Sequence, residues 1–258
     1  MNFPYRKRTR ELFVPDSPEP FRMSRTKIDL FLECPRCFYL DRKLGIGRPN
    51  TPPFTLNVAV DELLKKEFDT HRANGDPHPL MTHYGIDAVP FQDERMDEWR
   101  DSLRRGIRHV HAPTNFVVTG GVDDVWVNPE RELIVVDYKA TAKNSEVNID
   151  ADWQISYKRQ IEVYQWLFRQ NGFAVSPTGY FVYCNGKLDS AAFDGKLEFD
   201  VKVIPYKGDD SWVDGTLREA HACLLGDLPQ PERDCQYCTY RKEAALAAHE
   251  NKKRIALS

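Results

Sequence analysis

Two stretches decide how this chain folds: Gly120–Val125, which reads GGVDDV, and Val135–Lys139, which reads VVDYK. They lie in two runs that are rich in β-branched and aromatic residues, 116–127 and 132–139. The segment Asn128-Pro129-Glu130-Arg131 between the runs consists of residues that favour turns. The pattern therefore predicts an antiparallel pair of core strands.

Asp137 and Lys139 are expected on one face of the second strand, because side chains at positions i and i+2 of a strand point the same way. The partner strand can bring Asp123 beside them, and Asp124 would take that place if the register differed by one residue. Two neighbouring carboxylates form an oxygen-rich site that suits Mg²⁺ or Mn²⁺. The alternative is a buried salt bridge between Asp137 and Lys139 that ends an ordinary strand.

A divalent ion beside a lysine suits chemistry on phosphate groups. The ion can lower the pKa of a bound water and offset charge that develops on the phosphate, and the lysine can orient that water or stabilise the transition state. The net charge is −3, so the chain as a whole does not attract a polyanion. Attraction would depend on local basic patches, and two exist, although each can equally be solvated surface: residues 6–10, and Arg100 with Arg104, Arg105 and Arg108.

The order of predicted elements indicates a single α/β domain with added helices. Helices are expected after Ser24, over 56–68, 94–107, 153–170 and 211–225, and after Cys238; two further strands are expected over 178–184 and 197–204. We expect a flexible basic arm over 1–22 and one domain over 23–258. Within that domain, 23–115 is expected to be helical, 116–206 to form the core and 207–258 to carry the C-terminal helices.

Four of the six cysteines form two pairs of equal spacing, Cys34-x-x-Cys37 and Cys235-x-x-Cys238. No apolar run is long enough to span a bilayer and the first residues lack the apolar centre of a secretory signal, so we expect a cytoplasmic protein with no membrane partner. Thiols stay reduced there, and paired cysteines then indicate metal binding, by zinc or by an iron–sulfur cluster. The alternative is four separate buried thiols. Cys184 and Cys223 are expected in the core.

Several segments, taken in order, resemble the RecB-like branch of the PD-(D/E)XK nuclease superfamily, and within it the CRISPR-associated exonucleases with a cysteine-bound metal cluster. The resemblance covers roughly 24–243. It rests on five pieces: Ser24–Leu40, Gly120–Asp123, Asp137–Lys139, Gln160–Tyr164 and Cys235–Cys238. It implies a restriction-endonuclease-like core, a mixed β-sheet flanked by helices, with a cysteine clip joining the N- and C-terminal segments.

The resemblance also implies roles for individual residues. Asp123 and Asp137 would be metal ligands, with the main-chain carbonyl of Tyr138 completing the site, and Lys139 would be the catalytic lysine. Gln160 and Tyr164 would lie on one helix face beside the site, where they help to hold DNA or the lysine. The alternative for Tyr164 is core packing. Trp126, Tyr164 and Trp166 could stack on nucleobases or could equally belong to the core.

The sequence departs from the family pattern at two places. The family has a glycine and, four residues later, a histidine ligand on an early helix, where this chain has Asn57 and Asp61; Asp61 could still contact a hard metal ion, or lie on a solvated helix turn with Glu62. The family supplies one N-terminal and three C-terminal cysteines. Here Cys37 is extra and Ala244 stands where the third C-terminal cysteine would fall.

The function that the resemblance implies is a Mg²⁺- or Mn²⁺-dependent hydrolysis of DNA phosphodiester bonds. The enzyme would be an exonuclease or a single-strand- or end-directed deoxyribonuclease in DNA processing or defence, with an iron–sulfur cluster, of the 4Fe-4S type, at Cys34, Cys37, Cys235 and Cys238. Zn²⁺ is the alternative at those cysteines. DNA and other DNA-processing or CRISPR/defence proteins would be the partners. The alternative function is a catalytically weak or inactive nucleic-acid-binding adaptor subunit of the same fold.

Overall fold

The computed structural model describes residues 7–49 and 55–256, with side chains to residue 251. The helices are α1 (Arg25–Glu33), α2 (Pro35–Arg42), α3 (Thr55–Asn74), α4 (Pro79–His83), α5 (Met96–Arg100), α6 (Ile155–Gln170), α7 (Trp212–Leu225) and α8 (Gln236–Ala256). None of the described helices has the length and apolar character needed to cross a membrane. The strands are β1 (Phe21–Ser24), β2 (Val89–Pro90), β3 (Ile107–His111), β4 (Phe116–Gly120), β5 (Asp124–Val127), β6 (Leu133–Thr141), β7 (Thr178–Gly186) and β8 (Phe199–Lys207).

The described residues divide into two compact units. The first contains 7–49, 111–116 and 214–256, and the second contains 55–110 and 117–213. The domain boundaries expected from the sequence, an arm over 1–22 and one domain over 23–258, stay predictions. Residues 1–6 of that arm lie outside the described residues.

The second unit is built on a mixed five-stranded sheet with the strand order β2-β5-β6-β7-β8. β6 and β7 are parallel, and the other neighbouring pairs are antiparallel. A parallel pair needs a long crossover, and here α6 supplies it between β6 and β7. A mixed sheet flanked by helices is the architecture predicted for a PD-(D/E)XK core, and the fold class is confirmed.

The predicted β5–β6 hairpin is present, with Asp124 opposite Val136. Its turn forms as the sequence suggests, because the side-chain oxygen of Asn128 accepts the main-chain N–H of Glu132 at 2.7 Å. Arg131 completes the turn in the left-handed region, at φ 63°.

The run 116–127 is not one strand, as the sequence suggested. It breaks after Gly120, and β4 pairs with β3 outside the five-stranded sheet. The break follows from contacts with the α5 segment. Val122 donates its main-chain N–H to the carbonyl of Trp99 at 3.1 Å, and a Cβ at Gly121 would lie 2.4 Å from the Cβ of Ser102.

The predicted helix over 94–107 is wrong beyond Arg100, where α5 ends. The side chain of Asp101 accepts the main-chain N–H of Arg104 at 3.1 Å, which turns the chain out of the helix. Gly106 then adopts φ 72°, and a Cβ there would lie 2.3 Å from the carbonyl oxygen of Gly120. The charged pattern of this segment predicts a helix, but the close contact between Gly106 and Gly120 at the end of β4 overrides that local preference.

Helices α3 and α6 pack against β6. Even-numbered β6 side chains such as Val136 join Leu64 and Phe68 of α3 in one apolar core, where Phe68 stacks on Trp126 with 5.5 Å between ring centroids. Burying a phenylalanine in this way stabilises the fold by about 1.5–3 kcal/mol. The odd-numbered β6 residues, which include Asp137 and Lys139, therefore point to the opposite face of the sheet.

In the first unit, α1 and α2 follow each other directly and Cys34 lies between them. Cys34 caps α2, since its sulfur accepts the main-chain N–H of Cys37 at 3.5 Å. Asp41 of α2 is buried and receives Lys27 at 2.7 Å and Arg8 at 3.2 Å. Part of the predicted basic arm is thus placed by an ion pair, and Phe13 in the same segment is buried.

Candidate active site and cysteine cluster

Asp137 is the most deeply placed group of the candidate active site. It lies on β6 and is fully buried. Lys139 pairs with its Oδ2 atom, yet neither carboxylate oxygen accepts a hydrogen bond from the described part of the chain. A buried carboxylate without hydrogen bonds is costly unless a cation balances it. Lys139 supplies one such cation, but Asp123 lies beside Asp137, so two carboxylates face a single ammonium and the excess negative charge fits a bound metal ion.

Asp123 lies in the turn between β4 and β5, one residue before β5 begins. Its Oδ2 accepts the main-chain N–H of Tyr138 at 2.9 Å, which fixes the carboxylate next to β6. Burial, and then the negative charge of Asp137, raise the pKa of Asp123 to about 7. The charge of Asp137 thus disfavours ionisation of Asp123, and a divalent cation between the two carboxylates would relieve this repulsion.

Lys139 is held on the same face by two contacts. Its Nζ donates to Oε1 of Gln160 at 3.4 Å and lies 4.5 Å from the centroid of the Tyr157 ring. The side chain keeps a small exposed fraction, 14%, so the ammonium can meet a ligand from solvent. The structure brings Asp123, Asp137, Lys139 and Gln160 together, as the sequence predicted for a site; their catalytic roles stay predictions.

Gln160 and Tyr164 lie on α6 and are both buried. Nε2 of Gln160 donates to the hydroxyl of Tyr164 at 3.4 Å. The Tyr164 ring fits against Gly120, where a Cβ would lie only 2.4 Å from the ring. Tyr164 therefore packs against the end of β4, and the first glycine of the GGVDDV stretch is needed for that close approach.

Asp61 enters the site from α3. It lines a small cavity together with Lys139 and Tyr138, and its Oδ2 pairs with Lys65 at 2.6 Å. Burial, and then the charge of Asp123, raise the pKa of Asp61. The sequence placed Asp61 where the family has a histidine, and the structure places it in the electrostatic range of Asp123. Whether it contacts a metal stays a prediction.

Asp124 has a different environment from its neighbour Asp123. It is fully buried and accepts hydrogen bonds from Arg72, Arg100 at 3.1 Å, and the Tyr138 hydroxyl at 2.8 Å. Its charge is already balanced by two guanidinium groups, so Asp124 does not offer free oxygens to a metal. Tyr138 thus touches both aspartates, but through its N–H and hydroxyl; a ligand role for its carbonyl stays a prediction.

Among the described residues, the four cysteines are the one group of three or more histidine, cysteine or carboxylate ligands whose ligand atoms lie within 4.8 Å of one another. The three aspartates, Asp61, Asp123 and Asp137, do not form such a group. The acidic site therefore offers fewer protein oxygens than a closed metal site. That suits Mg²⁺, which keeps several waters and binds through one or two carboxylates.

An apolar groove adjoins this site. It has a volume of about 540 Å³ and shares Asn57, Val60, Ala140 and Tyr157 with the cavity beside Lys139; it continues past Leu56, Trp153, Leu197 and Phe199. Trp153 is 63% exposed and meets the Tyr157 ring edge-on, at 5.4 Å between centroids.

The aromatics singled out from the sequence, Trp126, Tyr164 and Trp166, are all buried, and the core alternative holds for them. The sequence pattern places Trp153 at the start of a long helix and therefore does not single it out as a surface group. It lies in a short turn, Asp152–Gln154, ahead of α6. The sequence does contain a signal for an exposed tryptophan, because Trp153 follows aspartate-containing loop residues and precedes the start of a helix.

The four paired cysteines converge in the first unit, as predicted. Sγ of Cys37 lies 3.6 Å from Sγ of Cys235 and 3.7 Å from that of Cys238, and Sγ of Cys34 lies 3.8 Å from that of Cys238. All four are buried and none forms a disulfide. Four buried thiols in this arrangement can bind a metal ion or a cluster. Cys184 is buried in β7, as expected; Cys223 is only partly buried.

A mixed sheet that carries a carboxylate and a lysine on β6, with a second carboxylate beside them and a crossover helix next to the strand, is the layout expected of a metal-dependent nuclease. The sequence profile of the PD-(D/E)XK nuclease superfamily matches residues 22–242, and the chain belongs to this superfamily. No curated protein matches it. Among solved structures it is similar to one titled "Crystal structure of SSO0001", with 15% identity, coverage of 85% of this chain and 84% of that chain, and a TM-score of 0.37.

Proposed function

We propose that this chain is a Mg²⁺- or Mn²⁺-dependent nuclease that hydrolyses DNA phosphodiester bonds at Asp123, Asp137 and Lys139. One observation carries the proposal. Asp137 is fully buried with neither oxygen hydrogen-bonded by the described residues, beside a second carboxylate and an ammonium, in a chain of the PD-(D/E)XK superfamily. A purely structural aspartate would have its hydrogen bonds satisfied, as Asp124 does.

Each residue then has a chemical task. Asp123 and Asp137 would hold the ion, which when bound supplies Lewis acidity for the attacking water and the phosphate. Water attacks phosphorus, the bond to one ester oxygen breaks, and the leaving oxygen takes a proton. The ammonium of Lys139 donates to a non-bridging oxygen as negative charge grows there. Gln160 and Tyr157 keep Lys139 in position.

The groove beside the site supports a preference for single strands or frayed ends. An exposed indole at Trp153, edge-on to Tyr157, gives an unpaired nucleobase a ring on which to stack. Bases within a duplex are already stacked and cannot use it. An exonuclease or an end-directed deoxyribonuclease in DNA processing or defence is the activity that this groove and the RecB-like resemblance favour. Within a cell we place the protein in the cytoplasm, with DNA and other DNA-processing proteins, CRISPR-associated ones among them, as partners.

The test is a cleavage assay with Mn²⁺ on labelled single- and double-stranded DNA. Wild type is compared with Lys139→Ala and with a control variant, Lys187→Ala. Lys187 also pairs with an aspartate, Asp200 of the edge strand at 3.3 Å, but lies outside the candidate active site. We expect cleavage by wild type and by the control, and a loss of about 100-fold or more for Lys139→Ala. Equal activity of Lys139→Ala and wild type would refute the assignment.

A second candidate function is a nucleic-acid-binding adaptor subunit that has lost activity. The observation in its favour is Asp61, which replaces the family histidine and is already paired with Lys65. If wild type binds single-stranded DNA but cleaves neither DNA form with Mg²⁺ or Mn²⁺, the adaptor is the better description.

A further inference from the structure

We propose that the four-cysteine cluster binds one tetrahedral Zn²⁺ ion and not the four-iron cluster that the family resemblance implies. The cluster lies within the first unit and does not depend on the catalytic assignment. The evidence is the spacing of the sulfurs, their burial, and the groups that surround them.

The spacing of the sulfurs matches a single ion. With zinc–sulfur bonds of about 2.3 Å, the six edges of a tetrahedron of sulfurs are each about 3.8 Å long. Three of the six separations here are 3.6, 3.7 and 3.8 Å, and all four sulfurs lie within 4.8 Å of one another. A four-iron cubane puts its own irons and sulfides between the cysteines, which holds their sulfurs roughly 6 Å apart. Such a cluster would not fit between these side chains.

The cluster is also closed to solvent. Cys34 has no exposed surface and the other three sulfur-bearing side chains are each 6% exposed. A site that is closed by four cysteine ligands has no position for water or substrate, which is typical of structural zinc. The separations are far longer than the roughly 2.05 Å of a disulfide bond. The four thiols are therefore positioned for an ion between them.

The neighbouring groups suit the charge of such a site. Four thiolates around Zn²⁺ leave a net charge of −2, which needs nearby donors. Nη2 of Arg48 lies 3.8 Å from Sγ of Cys235, and the main-chain N–H of Cys37 points at Sγ of Cys34 at 3.5 Å. Arg48 is itself held by Glu33 and by the Tyr237 ring, 4.5 Å away. These contacts place a fixed cation beside the thiolates.

The departure from the family arrangement fits this conclusion. Two Cys-x-x-Cys pairs, each at the start of a helix, supply two ligands apiece. Paired spacing of this kind is common in zinc sites. The ion would join segments that are 204 residues apart in the chain, so its role would be structural, with no redox function.

The experiment is anaerobic purification of the full chain followed by elemental analysis and visible spectroscopy. We expect about one zinc per chain, no visible absorbance, and a blue-green spectrum after replacement of zinc by Co²⁺. Iron in place of zinc, or no bound metal, would overturn the proposal.

The site is tested separately with the pair Cys37→Ser and Cys223→Ser. We expect the first to lose zinc and the second, which changes a cysteine outside the cluster, to keep it. Zinc retained at full occupancy in Cys37→Ser would place the ion elsewhere and refute the assignment. Should Cys37→Ser fail to fold, the Co²⁺ spectrum of the intact chain still distinguishes four sulfur ligands from oxygen or nitrogen ligands. Because every readout is metal content or colour, the result is independent of nuclease activity.

Discussion

Asp123 and Asp124 are adjacent in sequence and yet carry opposite electrostatics. Asp124 is balanced by Arg72 and Arg100, whereas Asp123 faces Asp137 across the hairpin and its pKa is raised towards neutrality. One strand position thus separates a structural carboxylate from a candidate ligand. The difference allows the two roles to be tested by isosteric substitution.

Asp137→Asn is expected to abolish cleavage while leaving the metal-free protein as stable as wild type or more so. The substitution removes one of two buried carboxylates that face a single ammonium, and Lys139 keeps the charge of Asp123 nearby as well as its contacts with Gln160 and Tyr157. We expect a loss of cleavage of about 100-fold or more. The measurements are the cleavage rate and a urea-unfolding curve in buffer without added divalent ions. A structural salt bridge would give the reverse, a clear loss of stability.

Asp124→Asn is the matched control. It would remove the buried carboxylate that Arg72 and Arg100 share and leave them only the partly exposed Asp69, and breaking a buried pair of this kind costs about 3–5 kcal/mol of unfolding free energy. An unchanged unfolding curve would show that the Arg72–Asp124–Arg100 cluster contributes little to stability.

Among the elements, β4 and α6 meet at Gly120 and Tyr164. Gly120→Ala is expected to destabilise the fold by about 1–3 kcal/mol, because the new Cβ would lie 2.4 Å from the Tyr164 ring. Displacement of Tyr164 would also move Gln160 away from Lys139 and slow cleavage. The control is Gly215→Ala in α7, where nothing lies within 4 Å of the added Cβ. There we expect a gain of about 0.5–1 kcal/mol, measured by urea unfolding.

Helix α4 depends on a buried histidine at its N-cap. The main-chain N–H of Leu80 donates to Nδ1 of His78 at 3.0 Å, so the ring proton is on Nε2, which donates to Glu67 at 2.9 Å. Burial lowers the pKa of His78 below its ordinary value of 6.5. The unfolded chain therefore binds a proton first as the pH falls, and this stabilising contribution is complete above about pH 6.5 and is lost below it.

The replacement His78→Asn retains a cap acceptor but cannot titrate. We expect wild type to lose up to about 1 kcal/mol more unfolding free energy than His78→Asn between pH 7.5 and about pH 5. If the unfolding free energies of the two proteins change in parallel with pH, the lowered pKa of His78 is contradicted.

Many of the helices, strands and turns could be predicted from the sequence. The hairpin at Asn128–Arg131 and the long helix before Asn171 follow from local turn and stop signals, and the shared face of Asp137 and Lys139 follows from strand geometry. The rest depends on contacts between distant residues. The helix expected over 94–107 ends at Arg100 because Gly106 packs on Gly120, and Asp123 reaches β6 from a turn set by Trp99. No local pattern records such approaches.

At the scale of the whole molecule, the net charge of −3 does not favour DNA, and binding must come from the site and its groove. Trp153→Ala is expected to weaken binding of single-stranded DNA about tenfold, the loss of one stacked base, with little effect on duplex DNA. The affinities are measured with labelled DNA in a Lys139→Ala background, where cleavage does not interfere. Tyr240→Ala, which removes an aromatic that is 77% exposed and does not line the groove, is the control. Equal losses for Trp153→Ala on both DNA forms would refute the single-strand preference.

Helix α8 extends over 21 residues, a length of about 30 Å, and Cys238 is its one buried side chain among those described. The helix is therefore held by a buried side chain only near its N-terminal end. A helix with so little apolar packing is only marginally stable alone. Its amide protons should therefore exchange with solvent as readily as those of a peptide when the four-cysteine cluster holds no metal ion. Occupancy of the four-cysteine cluster could thus be followed at a distance, through the hydrogen exchange of the part of α8 that lies beyond Cys238 and does not itself touch the ion.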